Sequence, residues 1–586
     1  MTDSIIQRRR LPVILWLLAI LLGLLYTWRA FYDPIDPDSI SYLEMGEAFL
    51  RRDWQMAINA YWSPFYPWLL AAALYVLHPP LPWQFAVVPL VDFAVYLGML
   101  GCFHFFVREV LRLHRAKGAE GSSPRPVMLP EWVVCVVAYT LFMWISLEWL
   151  GSFVSPADRC VAAFVYVAAG LLLRMRSASK NWWTFILFGV VLGGGYLAKA
   201  AMFPLAFIFL ASSIFSGGPF RQMVWRGLAA FIAFLVIASP WILALSQAKG
   251  YLTAGLSGKL NYAWMVNGVT RHIHWQGEPS GSGTPRHPTR KIFDRPAVYE
   301  FATPIGGSYP PWYDQTYWYE GLTTSFDLKE QMHALFRNIG AFLRISPLAQ
   351  GGLMTGFLIL FMMAGTPWHR VKDIAKQWHI LLPAIVALGM YALVRIEARY
   401  VAPFVMLFWI GLLSSVRLED APKSQRLLAG ITLAMLLPMM GTIGAVAAER
   451  GYSALRYAIR KDSPAHIQWY VAEFLHRIGV QPGDKVASVG RTFDANWAHL
   501  TQVQIVAEIP HRDENDFWAA SDAVRSQALS AFGKTGAKLI VADRAPGIAS
   551  TLGWERIGHT GHYVYVLPAA GDGLRVIRGG VSPARN

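Results

Sequence analysis

Cysteine and charge are what this 586-residue chain has least of. Only Cys102, Cys135 and Cys160 are present, all in or beside apolar runs, so a disulfide framework or a cysteine-based metal site is excluded and the three read as small core residues. Charged residues make up 15% of the chain against 55% hydrophobic and 14% aromatic, and the mean hydropathy is positive at +0.35. That balance excludes an ordinary soluble protein. No internal repeat or low-complexity tract is visible, and no small-residue cleavage site follows the first apolar run, Leu11 to Trp28, which is expected to remain as an anchor. Acids are outnumbered, 37 to 52, giving a net charge of +15. The cations lie in short clusters between apolar runs, as cytoplasmic loops of a membrane protein do, which argues against nucleic acid as the partner.

What is present is a series of apolar runs separated by loops of alternating character. Arg8, Arg9 and Arg10 precede the first run and place its start inside. Further spans are expected at Gln84 to Val107, Trp132 to Leu150, Cys160 to Leu173, Trp182 to Leu197, Met202 to Phe215, Leu228 to Leu245, Leu353 to Ala364, His379 to Val394, Val401 to Val416 and Leu427 to Ala447. The count is about eleven. Arg108, Arg112, Arg115, Lys117, Arg125, Arg174, Arg176, Lys180, Arg221, Arg226, Arg370, Lys372, Lys376, Arg417, Lys423 and Arg426 then all fall inside. The short run Tyr66 to Leu77, followed by Pro79, Pro80 and Pro82, is expected to be an interfacial helix of the first outer loop, 30–83. A long polar loop, 246–343, is rich in Gly, Pro, Trp and Tyr, and its segment Gly281 to Arg290 reads as loop.

Two domains are expected: a transmembrane part, 1–450, and an extracytoplasmic α/β part, 451–586. The latter reads as a helix from Ala465 to Ile478, strands at Val486 to Val489, QIVAEIP, KLIVAD and HYVYVLP, and a helix from Asp516 to Phe532. Gly490 follows a strand, but GRTFD lacks the glycine spacing of a dinucleotide site, so a structural or acceptor-positioning role is expected.

Candidate chemistry concentrates in DPIDPDSISYLEMGEAFL, where Asp33, Asp36, Asp38 and Glu44 lie just beyond the first span. Pro34 and Pro37 hold the first part out of a helix, and a helix is expected from Asp38, with Asp38 as its cap and Tyr42 one turn on. Either the acids only cap and solvate, or one carboxylate accepts a proton from a hydroxyl attacking an anomeric carbon. Ionisable groups at span ends, Asp158, Lys199, Arg395, Glu397 and Arg399, are functional candidates or mutual ion pairs. Lys199 and Arg399 are outer cations, suited either to snorkelling or to an anionic leaving group. In the long loop, Tyr309, Trp312, Tyr313, Tyr317, Trp318 and Tyr319 suit sugar stacking or interfacial anchoring. Asp294, Asp314 and Glu320 could accept sugar hydroxyls, and His272 with His274 gives two metal-type ligands without a third.

The run from Asp38 through Trp62 to Pro64, Tyr66 and Pro67 resembles the first extracytoplasmic loop of the GT-C superfamily of glycosyltransferases, which includes lipid A aminoarabinose transferases and protein O-mannosyltransferases. The resemblance makes Asp38 the catalytic carboxylate, with Tyr42 the aromatic that follows it. Ser39 stands where many members have a second acid, so Asp36 is the substitute, and which Asp is the base and whether a divalent metal binds are left open. SPADRC with Asp158, GGGYLAKAA with Lys199 and EARYVAPF with Glu397, Arg399 and Tyr400 resemble later motifs of the same superfamily, in the same order. They imply contacts to a lipid-linked donor or an acceptor. The expectation is an inverting-type glycosyltransferase of the bacterial inner membrane, with a polyprenyl-phosphate sugar as donor and a glycan, glycolipid or protein as acceptor. The competing classes are a glycolipid flippase, which would show matched broken helices in two halves, and a non-catalytic envelope assembly protein.

Overall fold

A computed structural model describes residues 2–119, 127–151, 156–176, 181–271, 274–301, 306–364, 366–418, 422–460 and 463–568. Arg125, Lys180 and His272 fall outside them. Among the described residues, six helices are long and apolar enough to cross a membrane, or up to eight if each of two bent pairs is one span. The pairs are Leu328–Arg344 with Pro347–Met363, bent by 83°, and Pro367–Ala375 with Trp378–Val394, bent by 77°. Trp182–Ala198, Met202–Ile214 and Ala398–Leu413 are shorter apolar helices. Every segment expected to span is thus helical, but several fall short of the about 20 residues that a perpendicular crossing needs.

Glycine lets two of these helices touch. Gly189 and Gly193, one turn apart on Trp182–Ala198, face Phe220–Lys249, where a Cβ on Gly189 would stand 2.0 Å from the Ala230 carbonyl oxygen. Small residues at this spacing allow the close backbone approach on which helix association in lipid depends.

The basic connections meet at one end of the bundle. Arg115 grips Glu131 through two hydrogen bonds of 2.9 and 2.8 Å, Arg174 reaches Glu109 at 2.6 Å, and Arg417 and Lys376 share Asp373 at 3.3 and 2.7 Å. Strand β1 (Val127–Met128) pairs antiparallel with a strand at Arg417–Leu418, tying the third expected span's entry to the tenth span's exit. At the opposite end, Arg29 contacts Asp33 and donates from Nε to the Ser453 hydroxyl at 2.8 Å, while Arg450 lies 4.3 Å from the Tyr26 ring centroid. Helix Pro422–Arg460 therefore returns the chain to the end where the first loop begins.

There the α/β part forms around a seven-stranded sheet. In chain order its strands are β2 (Arg290–Phe293), β3 (Val298–Glu300), β5 (Lys485–Gly490), β6 (Gln504–Pro510), β7 (Leu539–Ala542), β8 (Glu555–Arg556) and β9 (Tyr563–Val566), β4 being Arg417–Leu418. The spatial order is β2-β3-β6-β5-β7-β9-β8, with β5 parallel to both β6 and β7. Strands β2 and β3 come from the long loop, and Tyr299 pairs with Glu508, so loop and C-terminal segment share one sheet. The period of two sorts the strands' side chains. Val486, Leu539 and Val541 face helix Pro464–Arg477 and the loop aromatics, whereas Ala487, Val489, Ile540 and Ala542 pack with Ala528 and Phe532. The helix expected over 516–532 is two, Glu514–Ala519 and Asp522–Lys534, because the Ser521 side chain caps the second.

The long loop's aromatic cluster is mostly core. Tyr309, Trp312 and Trp318 are fully buried against the sheet face, each adding on the order of 2–3 kcal/mol of apolar transfer, so interfacial anchoring does not describe them. Only Tyr319 of the cluster opens onto the main cavity.

With the basic end inside, the sheet lies outside. Single cysteines at the exposed positions Lys372 and Ser530 should then label from opposite sides: Ser530→Cys with a membrane-impermeant maleimide on intact cells, Lys372→Cys only after permeabilisation. Equal labelling of both in intact cells would contradict the expected sidedness.

Candidate functional site

Asp36 takes an extended conformation with ψ 140° ahead of Pro37, and its Oδ2 accepts from the Asp38 amide at 3.1 Å. Helix Pro37–Arg51 therefore starts one residue earlier than the sequence suggests, with proline in its first turn. The expectation that Asp38 caps is corrected: Asp36 is the cap. The reason is the proline, which fixes the residue before it in the extended region that a cap requires. Asp38 is left with its side chain free for another task. It lines a cavity of about 740 Å³ at the sheet-bearing end of the bundle and keeps 26% side-chain exposure there.

Opposite Asp38 sits Arg399, whose Nη1 lies 3.4 Å from Asp38 Oδ2. The same guanidinium places Nε 2.9 Å from Glu397 Oε2 and 3.8 Å from Asp158 Oδ2. Asp158, 3% exposed, also holds Lys199 Nζ at 2.5 Å from its Oδ1. Lys199 in turn rests 3.8 Å from the Tyr400 ring centroid, a cation–π geometry, so it turns inward rather than towards the headgroups. Glu397 is shared with Arg395. Residues 38, 158, 199, 397, 399 and 400, scattered over four segments of sequence, thus form one charge network. Tyr42 lines the same cavity, its ring edge-on to Trp62 and Tyr66 at 5.0 and 5.4 Å.

Several wall residues carried no legible signal. Tyr61, Asn261, Trp264, Arg271, Tyr391 and Phe493 are among the further lining residues, and nothing in their local sequence separates them from packing residues. Tyr66 of the Pro-Tyr-Pro segment donates its hydroxyl to Asp92 at 2.7 Å, and Asp92 pairs with Arg159 at 3.9 Å, a buttress behind the cavity.

The remaining sequence candidates lie elsewhere. Asp33 pairs with Arg29, and Glu44 is buried against the α/β part. Asp314, 2% exposed, accepts from the Ala60 and Thr316 amides and pairs with Lys249, which also binds Glu320. Neither is available to a sugar in the main cavity, and the Asp294 side chain is 92% exposed. His274 stacks 3.9 Å from Tyr299, with its nitrogens on Thr289 and Glu508. Both are occupied, so it is not poised as a metal ligand. Among the described residues no cluster of three metal-ligating side chains occurs.

Burial and charge act together on the Asp36–Asp38 pair. Burial, then the Asp38 charge, pushes the Asp36 carboxyl up to about 8, against the pull of Arg399 and the backbone amides. Burial raises Asp38 too, while Arg399 and Lys199 pull it down. A carboxyl so poised can take up a proton near neutral pH. Arg399 and Lys199 are the cations paired with Asp38 and Asp158, and both are donors of the kind that bind an anion.

No family model matches the chain, and no curated protein matches its sequence. Among solved structures the chain is similar to the following. ArnT from Cupriavidus metallidurans in the apo state is 14% identical, with a TM-score of 0.49 over 95% of this chain and 98% of that one. The same protein bound to undecaprenyl phosphate gives 12% and 0.48, over 95% and 99%. The archaeal oligosaccharyltransferase AglB from Archaeoglobus fulgidus, in complex with an inhibitory peptide and a dolichol-phosphate, gives 12% and 0.45, over 92% and 70%.

The raised Asp36 carboxyl has a thermodynamic signature. Between the ordinary value and about 8 the folded chain holds a proton that the unfolded chain has released, so stability falls as pH rises across that window. Asp36→Asn keeps a capping side chain and should flatten the decline in Tm of the detergent-solubilised protein between about pH 5 and about 8. An unchanged slope would contradict the assignment.

Proposed function

We propose that this protein is a membrane glycosyltransferase that moves a sugar from a polyprenyl-phosphate carrier to an extracytoplasmic hydroxyl-bearing acceptor. One observation carries the reading: a carboxylate and a guanidinium, Asp38 and Arg399, 3.4 Å apart across an aromatic-walled cavity at the end of a helical bundle. The volume, about 740 Å³, accommodates a sugar and its phosphate. Tyr42, Trp62, Tyr319, Tyr391 and Tyr400 supply ring faces and hydroxyls of the kind that stack on and orient a pyranose or furanose.

Asp38 serves as the base. It takes the proton of the acceptor hydroxyl as that oxygen bonds to the anomeric carbon, and the bond from that carbon to the phosphate oxygen breaks with its electron pair left on the phosphate. Arg399 and Lys199 receive the growing negative charge of that leaving group. Asp158 and Glu397 hold these cations in place, Lys199 by the 2.5 Å contact and Arg399 from both sides. Tyr400 supports both from its ring face. Attack opposite the leaving group makes the transfer inverting.

The flippase reading is less favoured. Both bent helix pairs found among the described residues lie between Leu328 and Val394, in the second half of the chain, rather than at matched positions in two halves.

Asp38→Asn should abolish transfer from a radiolabelled polyprenyl-phosphate sugar while the protein still folds and purifies; retained turnover would discard the base assignment. Arg399→Lys keeps the charge but loses the planar fork shared among three carboxylates, and a drop of about a hundredfold or more in kcat is expected. Arg399→Ala should fail to accumulate, since stripping the cation from a buried network costs about 3–5 kcal/mol.

A further inference from the structure

Beyond the cavity, the C-terminal segment lies against the back of the catalytic loop. Its helix Asn496–Thr501 is wholly buried. Asn496 donates from Nδ2 to the Ile35 carbonyl at 3.0 Å, at the residue immediately before the capping Asp36. Three residues on, His499, 0% exposed, places Nδ1 3.2 Å from Glu44 Oε1 and Nε2 3.1 Å from Gln84 Oε1, with its ring stacked on Phe85 at 5.4 Å. Burial depresses the imidazole, but Glu44 and then Glu47 more than offset that against Arg51, leaving it above its ordinary value, as suits a ring whose two nitrogens face oxygens. Glu44 Oε1 also accepts the Ser308 amide at 3.1 Å, so the long loop joins the same carboxylate. The approach needs Gly307: its φ is +88°, and a Cβ there would stand 2.5 Å from Glu44 Oε2.

Geometry turns these contacts into control of the site. Asp38 and Tyr42 are four residues apart and share the cavity face of helix Pro37–Arg51, while Glu44, six residues from Asp38, lies on the opposite face about 9 Å along the axis. Fixing Glu44 therefore sets the rotation of the helix, and fixing Ile35 sets its start. Phe493, three residues before Asn496, reaches the cavity wall itself.

We infer that the C-terminal domain is part of the catalytic apparatus: Asn496 and His499 are positioning residues that clamp the helix bearing Asp36 and Asp38, and Phe493 supplies part of the cavity wall. The catalytic consequence rests on the glycosyltransferase reading; the clamp does not.

The experiment compares full-length wild type, Asn496→Ala, His499→Ala, His499→Asn and Asp38→Asn. In amide hydrogen exchange, which needs no substrate, Asn496→Ala and His499→Ala should speed exchange over 38–47 by about tenfold or more, with helix Thr2–Ala30 unchanged. His499→Asn keeps a donor where Nδ1 stood and should restore protection. In transfer assays, Asn496→Ala should lower kcat by about tenfold, leave the donor KM within about twofold, and move the acid limb of the pH profile, because the Asp36–Asp38–Arg399 spacing loosens. Unchanged exchange would overturn the clamp. Faster exchange with an unmoved acid limb and kcat would reduce it to a structural contact and overturn the positioning role. Should Asp38→Asn keep turning over, the base assignment falls, while the exchange result still decides the clamp.

Discussion

A guanidinium held among three carboxylates is the constraint on which this molecule depends. Arg399 reaches Asp38 in the first loop, Asp158 at the start of a span and its own neighbour Glu397, and its charge offsets part of the cost of burying all three. Because the partners arrive from segments up to 361 residues apart, the network also fixes how the helix ends are arranged. The same ion pairs that join the helix ends at the sheet-bearing end of the bundle create a cavity wall with positive charge facing a carboxylate.

The two ends of the bundle use charge differently. At the basic end the ion pairs are largely exposed or half-exposed on the cation side, as with Arg115 and Lys376, and such pairs contribute little each. At the other end Asp158 and Arg399 are nearly enclosed, where effective dielectric is low and every partner matters. Enclosure of this kind fixes the charges and dipoles around the cavity before any ligand arrives.

Much of this was legible in the residues. Ionisable groups at span ends stand out because lipid makes them costly, and Asp38, Asp158, Lys199, Glu397 and Arg399 do converge. The order of apolar runs gave the helices correctly. Legibility failed where long-range partners decide. Asp36 rather than Asp38 caps because Pro37 outweighs the pattern of the following residues. The aromatic run from Tyr309 to Tyr319 has the composition of a sugar platform, yet most of it packs on a sheet face formed almost 200 residues later. Glu44 looked solvated, since nothing local announces that His499 will meet it. Strands β2 and β3 are three or four residues long, too brief for a period-two signal, and exist because β6 offers them an edge.

That shared sheet has a consequence for biosynthesis. Tyr299 pairs with Glu508, so the β2–β3 hairpin emerges on the order of 200 residues before its partner, a wait of roughly 10–40 s at about 5–20 residues per second. Until then its open edge and the unburied rings behind it are exposed to any other extended chain nearby. The last-made segment is the latch that ends that vulnerability, because β6 closes the edge that β3 leaves open.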